Sequence, residues 1–352
     1  MFFYQWKKQY YFGIAFLFLN LLFMGLPTVV QANTFENKFS VQAILPESQI
    51  EQTQGYFDLL LDEGEEETLK VRIFNASSEP ISIQVSAHTA FTNVNGVVEW
   101  DKDAPTPDPT LKYSLAELME VPDIITLEPG QSQEVSIQLV MPPERFEGVL
   151  AAGLRIQEIS DDEKETEANQ GFSIRNEVSF EIGVIARNDR ASVTPDLELL
   201  DVFADQLNYR NVFSATVQNF MPTFVNQLEI QAQIRAKGED KILYAANRKQ
   251  MAMAPNSHFN FPISLNGDPF QSGDYLLTMT ARSGDLEWSW EEEFTVDART
   301  ARQLNREDVT IDNSINWWLI GSIGLGSLLL ILIAYLLRSL QVLKKQNQNE
   351  NK

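Results

Sequence analysis

Two histidines are the residues of this chain whose type best suits acid–base or metal chemistry. His88 and His258 lie far apart in the sequence, and the chain has no cysteine. A Cys/His nucleophile and a thiolate-rich zinc site are therefore excluded. Acids are plentiful, but no motif pairs two of them as a catalytic acid and base. We predict a non-enzymatic protein with no catalytic residue, no metal site and no cofactor.

A run of acids is the only stretch that resembles a cation site. Its carboxylates are Asp161, Asp162, Glu163, Glu165 and Glu167. They lack the Asp-x-Asn/Asp-x-Asp-Gly order of a calcium loop. We therefore interpret the run as a solvated hairpin loop.

Three tryptophans could stack on a sugar or a peptide. Trp288 and Trp290 fall on one face of a predicted strand, where an inward-facing pair in a β-sandwich is the commoner arrangement. Trp100 precedes a proline-rich loop at 101–113 and is the better surface candidate. All three are kept as candidate binding residues.

The elements that must position these side chains are strands, because apolar residues alternate with polar ones. Leu69, Val71 and Ile73, for example, alternate with Lys70 and Arg72. The same pattern predicts strands at 39–45, 55–61, 68–74, 81–89, 97–100, 134–140, 148–159, 172–186, 197–203, 212–218, 228–236, 242–246, 258–265, 275–281 and 286–296.

Local signals between the strands predict turns and one helix. The turn at 75–80 predicts a hairpin between the strands at 68–74 and 81–89, and Asn95-Gly96 predicts another turn. Ser114-Leu-Ala-Glu117 fits a capping box, so we expect a short helix there.

Short strands separated by Pro, Gly and Asn, with almost no helical period, indicate an all-β fold. We predict two tandem immunoglobulin-like antiparallel β-sandwiches, at 33–187 and 188–300, followed by a polar stalk at 301–316.

An apolar segment at 317–337 carries no charge. As a helix it would measure about 30 Å, the thickness of a bilayer's hydrocarbon core. Trp317 and Trp318 suit the headgroup layer at its outer edge, and Arg338, Lys344 and Lys345 follow at the other edge. We predict one transmembrane helix with a cytoplasmic tail at 338–352.

The N-terminus has the form of a signal peptide at 1–32. Lys7 and Lys8 precede an apolar run at 10–24, and the small-residue site ends at Ala32, after which we expect cleavage. The run is short for a membrane span. These features predict a single-pass type I protein of the cell membrane, with its ectodomain on the cell-wall side.

Charge and cysteine content indicate which partners and which cellular location are favoured. The net charge of −22 disfavours nucleic acid as a partner. An exported protein of this size without cysteine favours a bacterial surface.

The order of several motifs resembles the WxL-interacting proteins of Gram-positive bacteria. The motifs of the first domain lie at 39–49, 55–59, 75–80, 92–96 and 144–148, and those of the second at 251–257, 259–264 and 272–275. The resemblance covers nearly the whole chain. It implies that the first domain binds peptidoglycan and WxL-domain proteins and that the second binds host extracellular-matrix proteins. The chain carries no Trp-x-Leu motif of its own, so it resembles the partner of a WxL protein.

We therefore expect a membrane-anchored binding protein that tethers WxL-domain proteins, peptidoglycan or both near the membrane. The alternatives are an adhesin for host matrix, acting through the second domain, and a regulator of wall hydrolysis. Because β-sandwiches often bind by adding a strand at an open edge, we also expect an edge strand or a groove beside the proline-rich loop.

Overall fold

The structure, a computed structural model, describes residues 38–159, 178–311 and 317–350. The predicted signal peptide with Ala32 and the acidic run at 161–167 lie outside the described residues. So do the side chains of Lys344 and Lys345.

The N-terminal unit (residues 38–187) is built from two sheets and a small hairpin. Its strands are β1 (Phe39–Ile44), β2 (Phe57–Leu60), β3 (Glu66–Asn75), β4 (Ile81–Thr89), β5 (Phe91–Thr92), β6 (Val98–Glu99), β7 (Met119–Glu120), β8 (Ile125–Leu127), β9 (Ser132–Val140), β10 (Leu150–Ile159) and β11 (Ser179–Arg187). Sheet A has the order β1-β3-β9-β7, sheet B has the order β2-β11-β10-β4-β8, and β5 pairs with β6. All pairs are antiparallel except β2 with β11.

The core of this unit lies between sheets A and B. On β3, Leu69, Val71 and Ile73 are buried, whereas Lys70 and Arg72 are exposed, as the alternation predicts. Burying one such aliphatic side chain contributes roughly 1.5–3 kcal/mol relative to leaving it exposed.

The hairpin predicted between β3 and β4 is wrong. β3 lies in sheet A and β4 lies in sheet B, so the turn between them crosses from one sheet to the other. The buried Asn75 holds this crossing, because its side-chain amide donates to the carbonyls of Glu79 and Leu127. Both strands bury their apolar faces in one core, and a crossing satisfies that pattern as well as a hairpin does.

The predicted helix after Ser114 is also wrong. Residues 115–118 form turns, in which Leu118 N–H donates to the carbonyl of Leu115, and the chain then enters β7. The Ser114 hydroxyl does accept from Glu117 N–H, as a cap would. Pairing of β7 with β9 replaces further helical turns, and Leu115 is still fully buried.

The C-terminal unit (residues 197–311) has its own pair of sheets. Its strands are β12 (Leu197–Leu207), β13 (Arg210–Asn219), β14 (Val225–Ala236), β15 (Ile242–Met253), β16 (Ser257–Ser264), β17 (Gly273–Ser283) and β18 (Leu286–Val296). Sheet C has the order β12-β13-β16 and sheet D the order β15-β14-β17-β18. The seven strands fall where the alternation predicts them. Their core is centred on Phe213, whose ring contacts Phe270, Tyr275 and Phe294.

Helix α1 (Ala298–Glu307) closes this second core. Asp297 caps its N-terminus, and Ala301 is buried against the core. After the helix, the Asp308 carboxylate accepts from Asn211 N–H at 2.7 Å. The C-terminal unit therefore extends past residue 300, into the segment that the sequence predicts as a stalk.

Helix α2 (Trp317–Glu350) contains the one candidate membrane span among the described residues. By length and composition, Ile320–Ser339 is long and apolar enough to cross a membrane, with a mean hydropathy of 2.3. Trp317 and Trp318 lie exposed at its start. Within the predicted tail, Arg338 is exposed on the same helix.

Candidate binding clefts at the junction of the two units

A carboxylate of the proline-rich loop (residues 101–113) joins the two units. The Asp108 side chain has no exposed surface. Both of its oxygens accept from the Gln218 amide, at 2.9 and 3.0 Å, and one lies 2.7 Å from His258 Nδ1. Within the loop, Thr110 donates to the same carboxylate through its N–H and its hydroxyl. The loop is thereby fastened to the C-terminal unit.

These contacts also determine the protonation state of Asp108. Burial alone raises the pKa of its carboxyl, but the hydrogen bonds from Thr110, Gln218 and His258 outweigh burial and hold the pKa below its ordinary value. Asp108 is therefore ionised at neutral pH. The Asp108 carboxylate accepts hydrogen bonds from residues of both units and so holds them together.

The β5–β6 hairpin makes a second connection. The Thr92 hydroxyl lies 2.6 Å from the Ser257 hydroxyl and accepts from Ala254 N–H. At the predicted Asn-Gly turn, the Gly96 carbonyl accepts from Ala252 N–H. A Cβ at Gly96 would lie 2.6 Å from the sulfur of Met251, so the turn and the strand approach more closely than a side chain allows.

A third connection lies just before β10. Val149 N–H donates to the Pro222 carbonyl at 2.8 Å. Gly148 has a φ of +72°, and a Cβ there would lie 2.1 Å from that same carbonyl oxygen. The three connections together interlock the two units.

Beside this interlock lies a cleft that both units line, and we call it the aromatic cleft. It has a volume of about 480 Å³ and is lined by Tyr56, Val98, Trp100, Glu181, Gly183, Ile185, Phe224 and Asn226. The Trp100 and Phe224 rings approach with centroids 6.0 Å apart. The structure thus places one of the three candidate tryptophans in a cleft.

Grooves also run beside the proline-rich loop, as expected. One of about 350 Å³, the polar pocket, is lined by residues of both units, including Thr89, Asp103, Asn256 and His258. A second, of about 530 Å³, adjoins Pro105 and Asp205. The sequence predicts a groove in the first unit alone, whereas the second unit supplies part of each wall.

Trp288 and Trp290 lie elsewhere, on the edge strand β18. Both are half-buried and pack against the second core, and the Trp288 indole N–H donates to Asp196 at 2.8 Å. Their contacts are those of packing residues, and the aromatic cleft does not include them.

Each of the two histidines contacts a carboxylate. His88 lies near Asp103 and Ser86, whereas His258 contacts Asp108. Within 38–159, 178–311 and 317–350, no cluster of three or more His, Asp or Glu residues could hold a metal ion.

Two family models match the chain in the order that the motifs predict. One, described as "WxL Interacting Protein, peptidoglycan binding domain", matches residues 39–158, and the other, "WxL Interacting Protein, host binding domain", matches residues 169–306. The chain belongs to the WxL-interacting protein family. The families are described as binding domains, which supports a cell-surface binding role. The apolar helix α2 is compatible with a single membrane anchor.

Solved structures similar to this family member include a PapD-like domain and two chaperones, all at low identity. The human CEP192 PapD-like domain 7 is 14% identical, with 44% of this chain and 87% of that chain covered and a TM-score of 0.26. The YadV chaperone is 13% identical, covering 74% and 100%, with a TM-score of 0.29. The E. coli chaperone DraB is 14% identical, covering 74% and 98%, with a TM-score of 0.27. No curated protein matches the chain.

Both parts of this WxL-interacting protein contribute to the aromatic cleft. Trp100 belongs to the range matched as peptidoglycan-binding, whereas Gly183 and Phe224 belong to the range matched as host-binding. Three residues of the junction were not predicted from the sequence: Gly183, Phe224 and Asp108. A glycine within an otherwise alternating strand was the one available signal, because such a glycine often marks a close approach or a ligand.

Proposed function

We propose that this chain is a non-enzymatic, membrane-anchored surface protein that tethers WxL-domain proteins, peptidoglycan or both near the membrane. The observation that carries the proposal is the order of its parts. A unit matched as peptidoglycan-binding and a unit matched as host-binding are followed by one candidate span.

The proposed topology is single-pass type I. A signal peptide at 1–32, cleaved after Ala32, would place both units on the cell-wall side. The tail with Arg338, Lys344 and Lys345 would remain in the cytoplasm, in keeping with the positive-inside rule. Trp317 and Trp318 would lie at the membrane–water interface on the cell-wall side.

The two units are proposed to act as tandem β-sandwiches. Each has two sheets and a separate hydrophobic cluster, which supports that arrangement. The interlock at Asp108, Thr92 and Gly148 would make the pair one binding body, so the partner would meet a surface formed by both units.

Co-sedimentation with purified peptidoglycan sacculi tests the proposal. We would use the detergent-solubilised full chain, because dividing it at residue 187 would break the interlock. Pelleting without any other protein makes peptidoglycan a direct ligand, whereas pelleting only with an added WxL-domain protein makes the chain a protein receptor. If the chain stays in the supernatant in both cases, the proposed tether is wrong.

Binding of host matrix is the second candidate function. The match of residues 169–306 to a host binding domain favours it. It predicts that the same full chain binds immobilised extracellular-matrix proteins with saturation, without sacculi or a WxL-domain protein. Regulation of wall hydrolysis stays a lesser hypothesis, which no motif of the sequence supports.

A further inference from the structure

Gly183, which lines the aromatic cleft, belongs to a pair of glycines on the outer face of sheet B. Gly153 on β10 and Gly183 on β11 lie directly opposite each other in the strand register. Neither projects a side chain, so the sheet is flat at this point. Trp100 lies directly over the first glycine, where an added Cβ would stand 2.4 Å from the Trp100 carbonyl oxygen.

The second glycine leaves room for an added Cβ. A Cβ at Gly183 would lie 3.8 Å from the Tyr56 Cβ and 3.9 Å from the Trp100 ring, which is ordinary contact. The first glycine is therefore required by packing, whereas the second is not. Its missing side chain is what opens the floor of the cleft.

The walls of the cleft present aromatic surface from three directions. Tyr56 and Trp100 come from the N-terminal unit, and Phe224 comes from the C-terminal unit, with its ring plane inclined 37° to that of Trp100. Tyr56 is 37% exposed. Rigid aromatic faces of this kind bind flat apolar surfaces, including the C–H faces of a sugar ring.

Polar groups surround these faces. In the described part of the chain, no hydrogen bond engages the Trp100 indole N–H, the Tyr56 hydroxyl or the Glu181 carboxylate. Burial, together with the nearby Asp58 and Glu51, raises the pKa of Tyr56, so its hydroxyl keeps its proton and can donate. The cleft therefore offers two donors and one acceptor beside apolar faces, which suits a ring bearing hydroxyl groups.

Charge decides between a neutral and an anionic ligand. Glu181 stands at the cleft, and the whole chain has a net charge of −22. Arg155 lies opposite Glu181 in the strand register, so a charge of each sign stands beside the cleft, and a neutral ligand that donates to the carboxylate is favoured over an anion. The volume of about 480 Å³ lies within the usual range for small-molecule sites.

We propose that the aromatic cleft is a binding site for a neutral pyranose ring, such as an N-acetylated sugar of a wall glycan. This inference rests on the proposed role at the cell wall and assigns that role to one site. The ring stacks on Trp100 and lies over Gly183, while Glu181 accepts from a hydroxyl. Because Phe224 comes from the other unit, the site is complete only when the units are interlocked.

Saturation-transfer NMR with a soluble N-acetylglucosamine tetrasaccharide tests the site in the full chain. The wild type should bind with saturation. Gly183→Val should weaken binding at least tenfold, because its methyl groups occupy the cleft floor, and Glu181→Gln should weaken it several-fold. Ser136→Val, at an exposed position of β9 on sheet A, is the matched control and should bind as the wild type does.

Thermal unfolding separates a blocked site from a damaged fold. Gly183→Val introduces a β-branched residue into a strand without a backbone clash, so its unfolding temperature should equal or exceed that of the wild type. If the wild type binds no tetrasaccharide, or if Gly183→Val binds it normally, the inference is wrong. Loss of WxL-protein capture by Gly183→Val, with no saccharide bound by the wild type, would make the cleft a polypeptide-docking site instead.

Failure of this inference differs from failure of the proposed function. If sacculi pellet the wild-type chain and the Gly183→Val variant equally, the proposed tether is supported and its glycan contact lies outside the cleft. If sacculi pellet neither chain, the proposed tether is wrong, while the tetrasaccharide result still tests binding at the cleft.

Discussion

At Asp108, one carboxylate connects a loop of the N-terminal unit to two strands of the C-terminal unit. Gln218 lies on β13 and His258 lies on β16, and these strands are neighbours in sheet C. A buried polar side chain that loses its partner costs about 1–3 kcal/mol. Asp108 should therefore contribute to stability through its two partners on sheet C.

The Asp108→Asn variant should be less stable than the wild type at pH 7, by about 1–3 kcal/mol. The pKa of Asp108 is lowered in the folded protein, so its contribution is present above the unfolded value, near 3.8, and is lost as pH falls through the folded value. The difference between variant and wild type should thus shrink in acid. Urea unfolding at pH 7 and pH 3 measures it.

Asp103→Asn provides the control for Asp108→Asn, because Asp103 belongs to the same loop but its side chain is 70% exposed. Its stability should stay close to that of the wild type at both pH values. An equal loss in the two variants would show that the interlock does not depend on the Asp108 carboxylate.

At the scale of elements, the strands were predictable and their partners were not. Alternation identifies β3 and β4 correctly, since each buries one face locally. Whether a turn joins two strands of one sheet or crosses between sheets depends on distant pairing, such as β3 with β9, so the hairpin prediction failed. The aromatic cleft could not be predicted from the sequence either, because Trp100 and Phe224 come into contact only after both units have folded.

Gly148 tests how closely two elements of different units must approach. Gly148→Ala should lower the unfolding temperature by several degrees, because the new Cβ would overlap the Pro222 carbonyl oxygen. In units of this size, each kcal/mol lost lowers that temperature by roughly 2–4 °C. Differential scanning calorimetry of the full chain measures the shift.

Gly64→Ala is the matched control for Gly148→Ala. Gly64 has a similar φ of +68°, but no atom lies within 4 Å of its added Cβ. Both variants bear the backbone cost of about 1–2 kcal/mol for a left-handed alanine, and only Gly148→Ala adds the overlap. Equal shifts would mean that the close approach at Pro222 contributes nothing.

At the scale of the whole molecule, the C-terminal unit and the candidate membrane span are joined by a short segment. Val309 N–H donates to the Tyr209 carbonyl, so the chain still contacts the C-terminal unit at that point, and α2 begins at Trp317. A binding body so close to the proposed span would be held near the bilayer. This short separation favours a scaffold beside the membrane over direct contact with distant host tissue.

Two truncations test the folded unit and the proposed anchor separately. A chain ending at Ile311 keeps α1 and Asp308, so it should leave the membrane fraction and retain the unfolding temperature of the full chain. A chain ending at Thr300 loses buried Ala301 and the hydrogen bond from Asn211 to Asp308. It should leave the membrane as well, but it should be less stable by several kcal/mol.

Cell fractionation and calorimetry read these two properties separately. A chain ending at Ile311 that stays with the membrane would show that α2 is not the anchor. Equal unfolding temperatures for the two truncations would show that the C-terminal unit ends before α1, as the predicted stalk at 301–316 implies. The opposite result makes α1 a part of the binding body, because its contacts at Leu304 and Asn305 then hold β12, β13 and the Phe270 loop in place.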